Sequence, residues 1–343
     1  MNTTLPIVGI TLGDVAGIGP EVVAKALHCP DIYAVCQPVV IGDARVFEQA
    51  RFAATLPAGL RRITHLAQAA AMPGLPLVLD FSNLALAAIE VGQVSAAAGQ
   101  AAWDYVVKAV ELAQAGEIAA IATAPLNKEA LRLAGHTTIG HTEILAELTQ
   151  TPRCTTMLAT PGLRVTHVTR HVPFRDIAAH LSIAAVLDTI LLTHAGMQGL
   201  GYAAPRLAVA GLNPHNGDNG LLGREEIEII APAVAEARAR GITVDGPIPA
   251  DSVFFQTLQG RYDVVVCQYH DQGHIAVKTH GFEQSITITL GLPLIRTSAD
   301  HGTAFDIAGQ GIANPASMIA AILEAARIVG YTDQGPSTQT LSE

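Results

Sequence analysis

Short apolar runs alternate with longer amphipathic segments along most of the chain. Residues 7–12 form a β-rich run that ends in GDVAGIGPE. A helix is predicted over 21–27, with Pro20 near its first turn, where a missing N–H costs nothing. Residues 39–41, followed by Gly42 and Asp43, predict a second strand and turn leading into an Ala-rich helix. Residues 56–80 are less regular, with Pro57, Pro73 and Pro76. An amphipathic helix over 96–115 is closed by Gly116, and a buried strand over 118–122 ends in TAPLNKEAL. Further strands are predicted at 155–159, 164–169, 206–210, 263–268 and 286–290, and helices at 183–198, 225–240 and 316–329. The tail TDQGPSTQTLSE reads as frayed. This alternation predicts an α/β protein with a largely parallel sheet buried on both faces. No internal repeat or low-complexity linker marks a domain boundary.

Composition narrows the function classes. The 343 residues are 50% apolar and 15% charged, against about 25% charged in an average soluble protein. That is enough for about two domains with sizeable cores. With 20 Lys+Arg against 30 Asp+Glu the net charge is −10, and no basic stripe offers itself to nucleic acid. No clean apolar span of about 20 residues suggests a membrane segment, and the N-terminus lacks a signal-peptide pattern. Four scattered cysteines, without a CxxC, read as reduced thiols of a cytoplasmic protein.

The polar chemistry gathers after predicted strands, where open α/β sheets bind ligands. GDVAGIGPE brings glycines to a helix start, although it is not the GxGxxG spacing. TAPLNK carries Lys128, a candidate substrate cation, and GHTE follows with His141 and Thr142. His171, His215 and His270 each lie just beyond a strand, beside Asp251 and Asp271. Three neutral imidazoles so placed can meet at one metal, although no short ligand motif such as HExxH is present. Imidazole with carboxylate suits Zn, Mn, Co or Fe better than Mg. YHDQGH, with Lys278 four residues further on, is dense in polar residues for a loop after a core strand. Arg296 offers a planar fork for carboxylate or phosphate.

Two of these loops resemble signatures of isocitrate and isopropylmalate dehydrogenases: GDVAGIGPE and HGTAFDIAGQGIANP. The chain from about 7 to 329 more closely resembles the 4-hydroxythreonine-4-phosphate dehydrogenase (PdxA) family. The resemblance runs through TAPLNKEAL, GHTEILA, HVPFRDIA, GLNPHNGDNGLLGREE, DGPIPAD, YHDQGH and TLGLPLIRTSADHGTAFDIAG. It implies two α/β/α domains with a central cleft, similar to isocitrate and isopropylmalate dehydrogenases and not a conventional Rossmann fold. The implied division is 1–128 with 283–343, holding the cofactor loop, and 129–282, holding the metal and the dimer interface.

The same resemblance implies a homodimer with active sites at its interface, one divalent metal (Zn, Mn, Co or Mg) per site, and NAD or NADP. It makes His171, His215 and His270 the metal ligands, drawn from both subunits. It makes His141, Thr142, Lys128, Lys278, Thr287 and Arg296 substrate contacts. The loop bearing Asp300, His301, Gly302, Thr303, Asp306 and Gly309 would hold the dinucleotide. The implied reaction is oxidation, with decarboxylation, of a small phosphorylated 3-hydroxy acid, the metal stabilising first alkoxide and then enolate. Lys278, Asp271 and His141 are the candidate proton acceptors.

Departures bear on the substrate. Val15 replaces the family's usual proline, and Thr287 stands where asparagine is common. YHDQGHIAVK and FDIAG are more similar to the branch that oxidises 4-phospho-D-threonate or 4-phospho-D-erythronate than to the vitamin B6 enzyme. The alternatives are a decarboxylating terephthalate cis-dihydrodiol dehydrogenase, a phosphate acetyltransferase-like acyltransferase and a non-catalytic metabolite-binding homologue.

Overall fold

A computed structural model describes residues 5–49, 56–57 and 59–334. Residue contacts divide the chain into compact units, the first built from Met1–Pro152 with Leu292–Gly330 and the second centred on Arg153–Gly291. The division therefore falls after Pro152 and Gly291, not after 128 and 282. Its physical reason is that the helices following residue 128 pack on the long helix of the first unit.

In the first unit the strands are β1 (Ile7–Thr11), β2 (Gln37–Gly42), β3 (Arg61–Ile63), β4 (Leu77–Asp80), β5 (Ala120–Thr123) and β12 (Arg296–Ala299). They run in the order β3-β4-β2-β1-β5-β12, and every pairing among them is parallel. The helices are α1 (Gly19–Ala26), α2 (Pro30–Val35), α3 (Ala96–Gln114), α4 (Lys128–Leu133), α5 (His141–Leu148) and α11 (Ala316–Gln334). Strand β2 is buried at all six positions and β5 at all four, as expected where helices cover both faces. Val8, Ile10, Ile41, Ile121 and Tyr105 belong to the resulting core. Helix α3 starts where the Ser95 side chain accepts the Ala98 N–H. A Cβ on its Gly99 would collide with the backbone of Ala130, so the α3–α4 contact requires glycine.

The second unit holds β6 (Thr155–Thr160), β7 (Leu163–His167), β8 (Leu207–Ala210), β9 (Val244–Ile248), β10 (Val264–Cys267) and β11 (Ile286–Leu290). Their order is β11-β6-β7-β10-β8-β9. Here β6 is antiparallel to both neighbours, so the sheet is parallel only from β7 onward. The two-residue link between β6 and β7 explains this, since a parallel pair needs a long crossover. Helices α6 (Ile177–His180), α7 (Ile183–Gly199), α8 (Ala231–Ala239), α9 (Ala250–Leu258) and α10 (His270–Gly281) complete the unit.

Several expected elements differ. The segment 225–240 is helical as expected but irregular: a π-helical turn, Glu226–Ile230, runs directly into α8. Pro232 explains it, because its ring cannot accept a normal helical neighbour four residues back. The irregular stretch 56–80 contains β3 and β4. The Ala-rich helix expected after Asp43 is, as far as described, a short 3-10 turn, Ala44–Val46; residues 50–55 lie outside the described residues. YHDQGH is the N-terminus of α10, not a loop. Helix α11 takes in the start of the expected frayed tail, whose remainder lies outside the described residues. Among the described residues no single helix is long and apolar enough to cross a membrane.

Candidate functional site

The polar residues of the first unit gather around Arg296. This arginine begins β12 and is buried, with Nε and Nη2 both donating to Thr123 Oγ1, at 3.2 and 2.6 Å. Burial pushes its guanidinium down to about 9, while the Glu143 carboxylate acts in the opposite direction. His141 opens α5. The residue is half-exposed, but its Nε2 is sealed from solvent and has no hydrogen-bond partner. Burial, then the cations of Arg296 and Lys128, hold this imidazole well below its ordinary value. That shift favours the neutral ring. Gly140 caps α5, and a Cβ there would strike the Glu143 carboxylate. Lys128 is exposed at the first position of α4, which Asn127 caps by accepting the Ala130 N–H at 2.8 Å. A buried guanidinium, an exposed ammonium and a neutral imidazole with an unused nitrogen suit an anionic group such as phosphate or carboxylate.

The expected dinucleotide residues follow β12. Asp300 N–H donates to Ser317 Oγ at 3.0 Å, Thr303 is buried, and Asp306 and Gly309 are exposed. A Cβ on Gly302 would meet nothing within 4 Å, so a ligand can approach the backbone closely there. That backbone access fits a dinucleotide. GDVAGIGPE packs against this loop: Ile18 N–H donates to Thr303 O at 2.9 Å. Asp14, its second residue, is fully buried.

In the second unit, four imidazoles approach one another. The ring centroids of His171 and His270 are 6.1 Å apart. His270 stacks on His274 at 3.6 Å with planes 11° apart, and His167 lies 4.8 Å from His274. His270 Nδ1 donates to Asp271 Oδ1 at 2.6 Å, leaving Nε2 as the acceptor, the support that metal-binding imidazoles commonly have. His274 Nδ1 donates to the His270 carbonyl at 3.0 Å. His167 is buried, and its imidazole is pushed down to about 3 by burial first and then by His274 and His270.

His215 is exposed on the turn Pro214–Gly220. Among the described residues no three His, Cys, Asp or Glu side chains gather to hold a metal ion. The fit to a divalent cation within one chain is thus partial: His171 and His270, with Asp271 behind, and no third donor that completes a site among the described residues. Thr287 lies in β11 opposite Leu158, Lys278 Nζ lies 5.2 Å from the ring centre of Phe282, and Asp251 is exposed on α9. The sequence reading did not single out His167. Its one signal was a histidine ending a buried strand; His274 was visible as a turn-spaced partner of His270 once YHDQGH is helical.

Comparison with known proteins gives a consistent picture. The family model described as "Pyridoxal phosphate biosynthetic protein PdxA" matches residues 34–325. The chain is similar to a Clostridium botulinum protein named "Putative D-threonate 4-phosphate dehydrogenase", with 46% identity over 95% of this chain and 98% of that one. A crystal structure of 4-hydroxythreonine-4-phosphate dehydrogenase from Klebsiella pneumoniae superposes with a TM-score of 0.87 at 45% identity, covering 96% of this chain and 99% of the other. A terephthalate 1,2-cis-dihydrodiol dehydrogenase from Burkholderia xenovorans reaches a TM-score of 0.64 at 32% identity, covering 94% and 98%.

Proposed function

Because the chain belongs to the PdxA family, we propose that it is a nicotinamide-dependent dehydrogenase that oxidises, with decarboxylation, a small phosphorylated 3-hydroxy acid. D-threonate 4-phosphate, the substrate in the clostridial relative's name, is the first candidate, and 4-hydroxythreonine 4-phosphate the second. The observation that carries the reading within this chain is the buried Arg296 guanidinium beside His141, whose ring nitrogen is buried without a partner. A phosphate or carboxylate there would receive charge-assisted hydrogen bonds from Arg296 and Lys128. Neutral His141 and Thr142 would fix its orientation.

The loop of Asp300, His301, Gly302, Thr303, Asp306 and Gly309 holds NAD or NADP in this proposal, and the bound nicotinamide supplies the hydride acceptor. His171 and His270 contribute imidazoles to one divalent cation, which Zn, Mn, Co or Mg could fill and which would favour the ionised substrate hydroxyl. His215 of a second copy is the third donor. Large apolar side chains exposed in the second unit support such a homodimer: Phe174, Leu221, Phe255, Ile275 and Phe282 are each more than 60% exposed. Leu221 adjoins the turn of His215, and Ile275 lies on the helix that His270 begins. Among the proton acceptors, Asp271 is committed to His270 Nδ1 and His141 is sealed from solvent at Nε2. Lys278, Asp271 and His141 are the acceptors to test by substitution, and Thr287 is a further substrate contact in this proposal. Four cysteines held as thiols suit the cytoplasm.

The test is a rise in absorbance at 340 nm when purified protein, NAD+ or NADP+ and a divalent cation meet each phosphorylated acid. Turnover of D-threonate 4-phosphate is expected. Turnover of the terephthalate dihydrodiol alone would move the chain to that branch, and silence with every acid would reject the proposal.

A further inference from the structure

The last charge of GDVAGIGPE, Glu21, is spent on backbone groups of its own chain. Glu21 is 3% exposed, and its Oε1 accepts the Ala313 N–H at 2.8 Å while Oε2 accepts the Gly311 N–H at 3.3 Å. One helical turn later, Lys25 Nζ pairs with Glu21 at 2.8 Å. The same Nζ donates to the Gly311 and Ala313 carbonyls at 2.8 and 2.7 Å. Two N–H groups and two carbonyls of Gly311 and Ala313 thus end on one ion pair. The other shoulder of that loop is held by the same stretch of chain. Ile18 N–H donates to Thr303 O, and Gly17 packs so closely on Thr303 that a Cβ would lie 2.7 Å from its carbonyl oxygen.

We infer that Glu21 and Lys25 are positioning residues for dinucleotide binding, holding the Gly311–Ala313 end of the loop that begins at Thr303. The inference rests on the proposal that this loop holds the cofactor. The alternative is a pair that serves stability alone. Stability is a weak reason for a nearly buried ion pair, because apolar side chains of similar volume often serve as well or better. What apolar replacements could not supply is four hydrogen bonds to the backbone of Gly311 and Ala313, which fix one end of a glycine-containing loop whose other end Ile18 and Gly17 hold. Asp306, Gly309 and Gln310, on the span between those ends, are exposed and available to a ligand.

The experiment is a direct titration of NADH and NADPH into the purified protein without substrate, alongside thermal melting and steady-state kinetics. Glu21→Gln and Lys25→Met are expected to weaken dinucleotide binding by about tenfold, the scale of one lost hydrogen bond to a charged group. KM for the dinucleotide should rise in proportion while kcat at saturation stays within about twofold. Lys25→Arg should restore most of the affinity. Should Glu21→Gln fail to fold, Lys25→Met carries the same comparison, because it leaves Glu21 bonded to both N–H groups. Variants that melt lower yet bind within about twofold of the parent would overturn the inference and leave the cofactor loop standing. A parent that binds neither dinucleotide would overturn both.

Discussion

Asp14 sits at the start of the glycine-rich loop, with Oδ1 accepting the Ala16 N–H at 2.8 Å and Oδ2 buried without a partner. Burial pushes its carboxyl up to about 6, against the lowering influence of the Ala16 and Gly17 N–H groups. The sign of the consequence is definite. The folded protein holds this proton more tightly than the unfolded chain, so stability is lost as pH rises from about 4 through 6. At full ionisation the cost is about 3 kcal/mol. Asp14→Asn should therefore gain stability relative to the parent as pH rises from 4 to 8, by up to that amount, in urea titrations at both pH values. A difference between variant and parent that does not change with pH would contradict this account.

Roles at this scale were only partly legible. Arg296 and His141 announced themselves by residue type and family motif. Glu21 and Lys25 looked like helix-start and helix-end charges, because their backbone partners lie nearly 300 residues along the chain. No local pattern encodes such a pairing.

At the scale of elements, the turn that carries His215 is the most unusual backbone in the described chain. His215, Asn216, Gly217, Asp218 and Asn219 all have positive φ, between 43° and 73°. Left-handed conformation costs roughly 1–2 kcal/mol per residue with a Cβ, less for Asn and Asp. Composition made this readable as a turn, since Asn, Asp and Gly are the residues that tolerate it. Its support was not readable. Glu226, in the π-helical turn, accepts the N–H groups of Leu212 and Asn213 at 2.7 and 2.6 Å and the Asn213 amide at 2.9 Å. Glu226→Ala is expected to cost about 2–4 kcal/mol in chemical denaturation, from stranded donors and an unsupported turn. A loss below about 0.5 kcal/mol would show that the turn holds itself.

Elsewhere, long elements with strong apolar periodicity, such as α3, α7 and β6, were legible nearly to the residue. Strands β3 and β4 were not, because three- and four-residue strands among prolines lack a periodic signature. The antiparallel pairing of β6 was also missed, since a two-residue link between apolar runs was read as part of a uniform alternation.

For the whole molecule, the two-unit α/β architecture followed from the succession of strands and helices, while the boundary between the units did not. His141 and Thr142 were expected with the metal-binding half, yet the helix they begin packs on α3 beside Arg296. That regrouping puts the anion-binding candidates and the proposed dinucleotide loop in one unit, and the imidazole cluster in the other. It also sharpens what the central claim demands: one substrate must lose both a hydride and a carboxyl group. The most direct measurement follows both products in a single reaction with carboxyl-labelled D-threonate 4-phosphate, reading reduced nicotinamide by absorbance and released label as CO2. The account expects the two to appear together in equal amounts. Reduced nicotinamide with no CO2, or no reduced nicotinamide at all, would contradict it.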